Sequence, residues 1–199
     1  MTDPSAGAPD GDLVRRFLAG DAGAGTELIT RHERRVYAVC LRVLGNPDDA
    51  ADAAQDALLA MVRKLDGFRG EAAFTTWLYR VAMNVCYDHL RRARRQPMLR
   101  RTEEDTAPEP ALPDHADAVA DANDVAAALA QVPEDFRVAI VLADVHDLPY
   151  EEIAKVLDLP VGTVKSRVHR GRIALARALG IEPEGEPTRR ARTSEETRP

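Results

Sequence analysis

Only two cysteines, Cys40 and Cys86, occur in the 199 residues. Both stand inside helical patterns, so neither a disulfide framework nor a paired cysteine metal motif is available, and they read as small buried hydrophobes. Histidine is sparse too: the five, His32, His89, His115, His146 and His169, are scattered without metal-ligand spacing. No serine, cysteine or phosphate-loop constellation supports catalysis, so neither an enzyme nor a metal or other cofactor is expected. No apolar run approaches the ~20 residues needed to span a bilayer, and the N-terminus lacks a signal-peptide pattern. A soluble cytoplasmic protein without membrane insertion is the expectation. Internal repeats are absent, and so is the sustained period-two alternation of strands, which predicts an all-α fold. There is no basic excess either. The net charge of −6 argues against a protein that coats nucleic acid indiscriminately.

The charge is unevenly spread. Between Met98 and Asp124 stand two basic residues (Arg100, Arg101) and eight acidic ones (Glu103, Glu104, Asp105, Glu109, Asp114, Asp117, Asp121, Asp124), a local balance of −6 that equals the net charge of the whole chain. The flanking segments are therefore neutral in sum and free to carry basic faces. Five segments follow: a loose N-terminus (1–11), a first helical block (12–96), an acidic linker with too few large apolar residues to fold alone (97–120), a second helical block (121–181) and a hydrophobe-poor, disordered tail (182–199). Helices are expected over Leu13–Ala19, Thr26–Leu44 with Gly45 as stop, and from Asn46 onward. There Asn46 supplies a cap oxygen, Pro47 a fixed φ, and Asp48 and Asp49 negative charge for the first turn. Asp66 to Ala72 is a loop, and the next helix runs from about Ala73 to Arg95 with Phe74, Leu78, Val81, Ala82 and Val85 inward. In the second block, Glu134 to Val145 carries two apolar stripes, Phe136/Ala139/Ile140/Ala143 and Val138/Val141/Leu142/Val145. A helix apolar nearly all round belongs at the centre of a bundle.

The most informative segment is PYEEIAKVLDLPVGTVKSRVHRGRIALARAL, from Pro149 to Leu179. It reads as two short helices joined by a tight turn, the layout of a helix-turn-helix whose second helix enters the DNA major groove. At ~100° per residue, Val164, Val168, Gly171 and Leu175 fall on one face. Lys165, Ser166, His169, Arg170 and Arg172 fall on the other, where they can meet bases and phosphates. Arg167 lies at the side, suited to phosphate. Further upstream, Trp77, Arg80, Asn84, Tyr87 and Arg91 recur every three or four residues, and Arg91, Arg92, Arg94 and Arg95 close that helix. Aromatics interleaved with arginines suit unpaired nucleic acid, where bases stack on rings and phosphates pair with guanidinium groups. Trp77 and Tyr87 fit a place in the core equally well, and terminal arginines also favour the helix dipole.

Taken together, these segments resemble the extracytoplasmic-function (ECF) group of bacterial RNA polymerase sigma factors over roughly Asp12 to Leu179. DDAADAAQDALLAMVRKLDGF (Asp48 to Phe68) is similar to the helix that binds the clamp of the polymerase largest subunit. FRGEAAFTTWLYRVAMNVCYDHLRRARR (Phe68 to Arg95) is similar to the element that recognises and opens the promoter −10 region, and LPYEEIAKVLDLPVGTVKSRVHRGRIALARAL (Leu148 to Leu179) to the −35 reader. The resemblance implies an alternative sigma factor in a regulated, stress-type response, with core polymerase (clamp helices and flap), promoter DNA and an anti-sigma factor as partners. It implies −35 contacts at Lys165, Ser166, Arg167, His169 and Arg170. For the −10 element it implies a base contact at Asn84 and a loop from Gly67 to Thr75 that receives a flipped base. Phe68, Arg69 and Phe74 are its candidates there, beside Trp77, Arg80 and Arg91 of the stripe. Asp49, Asp52, Gln55 and Asp56 lie on the implied clamp-binding helix, where they would otherwise be an ordinary solvated face.

Three departures stand out. Asp56 replaces a more frequent glutamate, Pro149 and Pro160 stand where N-cap serines are common, and Lys165 replaces a frequent arginine, a point charge in place of a planar fork. Under the resemblance the acidic linker either mimics RNA in the polymerase exit path or is a plain spacer. Neutralising Glu103, Glu104 and Asp105 separates the two through core affinity and promoter escape. The alternative function is a helix-turn-helix regulator that acts on duplex DNA without polymerase, which needs neither the Trp77 stripe nor the clamp helix.

Overall fold

The computed structural model describes residues 8–95 and 116–181. The expectations for most of the N-terminus, for the acidic stretch up to residue 115 and for the tail lie outside those residues. Among the described residues all regular structure is helical, as expected: α1 (Asp10–Leu18), α2 (Ala22–Leu44), α3 (Pro47–Arg63), a 3₁₀ turn (Leu65–Gly67), α4 (Phe74–Arg95), α5 (Ala116–Gln131), α6 (Glu134–Ile140) running into a π-helical turn (Val141–Val145), α7 (Tyr150–Leu157) and α8 (Val161–Ala178).

Local chemistry explains most of the boundaries. Gly45 ends α2 in the left-handed conformation (φ 76°), its N–H bonded to the Leu41 carbonyl at 2.8 Å. Asn46 then accepts hydrogen bonds from the N–H groups of Asp48 (2.9 Å) and Asp49 (3.0 Å), and Pro47 opens α3. Helix α2 begins four residues before Thr26 because Asp21 caps it, accepting from Ala24 N–H at 3.3 Å. The start of α5 at Ala116 is five residues earlier than expected. Pro149 and Pro160 precede α7 and α8 without a side-chain cap bond. Between those two helices the chain turns through Asp158 at φ 54°, a conformation an aspartate tolerates better than most residues.

In the first block α2, α3 and α4 pack on one another, with α1 against α2. Leu28, Val36, Val39, Ala53, Ala57, Met61, Leu78 and Ala82 fill the centre. In the second block α8 lies on α6. Val164 and Val168 are buried, each side chain contributing about 1.5–3 kcal/mol on leaving water. Gly171 is buried for a steric reason: a β-carbon there would lie 2.5 Å from Ile140 Cγ2 and 2.9 Å from the Phe136 carbonyl oxygen. The two helices approach as closely as they do because this position has no side chain. The expected apolar stripe of α6 needs one correction, since Val145 is exposed; the helix widens into a π turn after Ile140 and ends there. Buried Arg137 points its Nη1 at the carbonyls of Ala130 (3.3 Å) and Leu129 (3.5 Å), closing the end of α5.

The two blocks are packed together and share one continuous core. Helix α7 lies against α4, and α5, α6 and the π turn touch α2. The Tyr79 hydroxyl meets Nδ1 of His146 at 3.0 Å, with the rings 5.1 Å apart, and Arg94 ion-pairs with Glu134.

Candidate nucleic-acid interface

Three surfaces carry the chemistry expected from the sequence. The first is the outer face of α8. Lys165, Ser166, His169 and Arg170 are all exposed, opposite buried Val164, Val168 and Gly171. Ser166 donates its hydroxyl proton to the Thr163 carbonyl at 2.9 Å, which leaves its oxygen free to accept from a base amino group. Arg167 and Arg172 differ from the rest. Arg167 is largely covered and pairs with Asp135 at 2.9 Å, while Arg172 forks onto Asp144 at 2.5 and 3.0 Å. Both arginines tie α8 to the helix beneath it, so the side position assigned to Arg167 is occupied by an intramolecular partner.

The second surface is the exposed side of α4 with the loop before it. Arg80, Asn84 and Arg91 are exposed on α4, and Trp77 is half-buried. Arg91 pairs with Asp88 on its own helix. Phe68, Phe74 and Trp77 form an aromatic cluster, with centroids 5.4 Å (Phe68–Phe74), 5.6 Å (Phe68–Trp77) and 5.7 Å (Phe74–Trp77) apart. Phe74, placed among the DNA contacts from sequence, is buried behind the other two rings and does not line the surface. In front of them opens a cavity of about 440 Å³ lined by Gly67, Phe68, Arg69, Gly70, Glu71, Ala72, Thr76, Trp77, Arg80 and Lys155. The Gly67-to-Ala72 loop, Trp77 and Arg80 therefore converge. Lys155, from α7 in the second block, was not foreseen. It bonds Glu152 at 2.8 Å, which together with the neighbouring Thr76 hydroxyl holds that carboxyl below its ordinary range. Tyr87, the remaining ring of the stripe, faces the second block. Burial and the nearby charge of Asp135 push its phenol up to about 12, against the opposing effect of Arg167.

The third surface joins α2 and α3. Asp52, Gln55 and Asp56 are exposed on α3, Asp49 is half-buried, and Asp56 meets His89 of α4 at 3.2 Å. Beside them runs an apolar groove of about 490 Å³ between Ile29, Glu33, Arg34 and Tyr37 of α2 and Ala51, Ala54, Gln55, Leu58 and Leu59 of α3. Leu59 is 46% exposed and Tyr37 is 37% exposed. Reading α3 alone missed the α2 side of this groove. The available signal was Leu59, an apolar residue on the polar face of its own helix.

The described residues contain no cluster of histidine, cysteine or acidic side chains able to hold a metal ion, and no helix among them is long and apolar enough to cross a membrane. The chain matches two family descriptions, Sigma-70 region 2 over residues 28–96 and Sigma-70, region 4 over residues 122–175. RNA polymerase sigma-H factor of Pseudomonas aeruginosa is 37% identical over 185 residues, covering 85% of this chain and 93% of the relative. ECF RNA polymerase sigma factor SigM of Mycobacterium tuberculosis is 36% identical over 181 residues, covering 91% and 90%. Among solved structures, the sigma factor RpoE in complex with the anti-sigma factor NepR from Bartonella quintana matches with a TM-score of 0.64 at 25% identity, covering 79% of this chain and 98% of that one. CnrH in complex with the cytosolic domain of CnrY matches with a TM-score of 0.62 at 28% identity, covering 86% and 97%.

Proposed function

The chain belongs to the extracytoplasmic-function group of the sigma-70 family, and from that premise we propose how its exposed faces divide the work of initiation. It is an alternative sigma factor that binds core RNA polymerase and directs promoter recognition, with promoter DNA and an anti-sigma factor as further partners. Catalysis of RNA synthesis rests with the polymerase, and this chain acts as its regulatory subunit, in the cytoplasm.

Lys165, Ser166, His169 and Arg170 read the −35 element. The observation that carries this assignment is the seating of α8, whose apolar stripe is held on α6 while these four side chains stand clear in solvent. Each good bidentate base contact gives about 1–3 kcal/mol of discrimination, so two or three suffice for a usable site. Arg167 reaches phosphate only if it releases Asp135. The loop from Gly67 to Ala72 with Phe68, Arg69, Trp77 and Arg80 receives an unstacked base of the −10 element, and Asn84 and Arg91 contact the strand beyond it. Phe74 supports the two rings from behind. Unstacking costs a few kcal/mol, which aromatic stacking and a nearby guanidinium offset. The α2–α3 groove, flanked by Asp49, Asp52, Gln55 and Asp56, docks the polymerase clamp.

The test is in vitro transcription from a randomised promoter library, with purified core polymerase and this chain added or withheld. Transcripts that depend on the chain and share spaced −35 and −10 motifs are expected. Binding to duplex sites without any retention on immobilised core would instead establish the regulator reading.

A further inference from the structure

The cavity in front of Phe68 and Trp77 is built from both blocks. Its floor and one wall come from the 67–72 loop and the first turns of α4, and its remaining cation, Lys155, comes from α7. The volume of about 440 Å³ falls in the range of small-molecule sites and suits one nucleotide better than a length of strand. Its chemistry is equally specific. Two aromatic rings with centroids 5.6 Å apart offer a stacking surface for a flat heterocycle. Arg69 and Arg80 form no ion pair among the described residues, whereas Lys155 lines the pocket while bonded to Glu152, and Glu71 is the one lining carboxylate. A π-face beside uncompensated positive charge selects a ligand that is aromatic at one end and anionic at the other.

We propose that, when the two blocks are packed together, this pocket binds a free nucleoside phosphate, its base against Phe68 and Trp77 and its phosphate between Arg80 and Lys155. Because Lys155 reaches the pocket only while α7 lies on α4, the ligand binds the packed arrangement more tightly than a separated one and shifts the population toward it. The inference rests on the assignment of the 67–72 loop as the base-receiving element for its consequence: a free nucleotide and an unpaired promoter base compete for the same rings.

Trp77 is the single tryptophan of the chain, so its fluorescence reports on this pocket directly. Adenosine 5′-monophosphate titrated into the full chain is expected to change that fluorescence saturably, with adenosine and ribose 5-phosphate each binding more weakly. Lys155→Ala, at a side chain 56% exposed and thus harmless to folding, weakens the mononucleotide about tenfold, the effect of one charge-assisted hydrogen bond. The same variant weakens a single-stranded oligonucleotide carrying the −10 motif by a smaller factor, because that ligand spreads its contacts over Asn84 and Arg91 as well. Arg80→Ala weakens both ligands. If the mononucleotide binds the native chain and Lys155→Ala equally, the composite site is refuted while the base-receiving loop stands. If only the oligonucleotide changes the fluorescence, the effector is refuted and the promoter reading again survives. If neither ligand does, both readings fall.

Discussion

Tyr79 of α4 and His146, just beyond the π turn, are joined at 3.0 Å across the boundary between the two blocks, and neither ring is free to ionise in the ordinary way. Burial, and then the positive charges of Arg42 and Arg35 against the weaker opposing effect of Asp147, push the imidazole down to about 4. Burial raises the Tyr79 phenol. Both groups are thus neutral in the packed arrangement over the whole range around neutrality.

Acid is therefore expected to loosen the packing of the blocks. A separated form returns His146 to solvent and to its ordinary value of 6.5, so between pH 6.5 and about 4 it binds the proton that the packed form refuses. The contribution of this contact is complete above pH 6.5 and is lost as pH falls through that window. Small-angle scattering across the range measures it as a rise in radius of gyration. His146→Asn lacks the titrating ring, and superimposable pH curves for the two proteins would falsify the assignment.

Gly171→Ala is expected to destabilise the second block. Alanine in place of glycine favours an isolated helix by about 1 kcal/mol. Here the added methyl meets Ile140 at 2.5 Å and the Phe136 carbonyl at 2.9 Å. Overpacking of this kind costs about 1–3 kcal/mol, and a backbone oxygen cannot move aside as a side-chain tip can. Thermal denaturation checks the sign, and a higher melting temperature for the variant would show that the α6–α8 approach is looser than described.

Asn46→Ala removes the acceptor for two amides at the start of α3. A loss of about 1 kcal/mol is expected in urea unfolding, the usual value of such a cap. Asn46→Asp, which keeps the oxygen and adds charge at the positive end of the helix, is expected to retain the native stability or exceed it. Equal losses for both variants would mean that the cap bonds contribute nothing.

Replacing Arg170 by alanine is expected to lower transcription from promoters that carry the preferred −35 motif, by about 10- to 100-fold if its contact is bidentate. Retention on immobilised core polymerase is expected to be unchanged. Leu59→Glu, which puts a charge on the apolar groove between α2 and α3, is expected to do the reverse, abolishing retention without altering the helical content. A loss of core binding in Arg170→Ala would mean that α8 has a role other than reading duplex DNA.

Much of this was legible from residues close together in the chain. Asn46, Pro47, Asp48 and Asp49 specify a helix start by chemistry confined to one turn. Val164, Val168 and Gly171 identify the seated face of α8, and so its exposed one, through periodicity alone. Helical spacing put Phe74 on the inward face of α4, as the structure has it, and only the family resemblance offered that ring as a base contact. Spacing missed Thr76 and Tyr79, buried on a second side of α4 that only α7 and its approach can cover.

By itself the sequence determined which segments are helices, which face of α8 is free and where the acidic charge lies, since caps, periodicity and composition act over a few residues. The tertiary structure alone decided that Arg167 is committed to Asp135 and that α2 completes the groove beside α3. It also decided that Lys155 stands at the pocket of Phe68 and Trp77, 78 residues away from Trp77 in the chain. Those relationships depend on which faces meet when two blocks bury their apolar surface together, and no local spacing encodes the partner of a face.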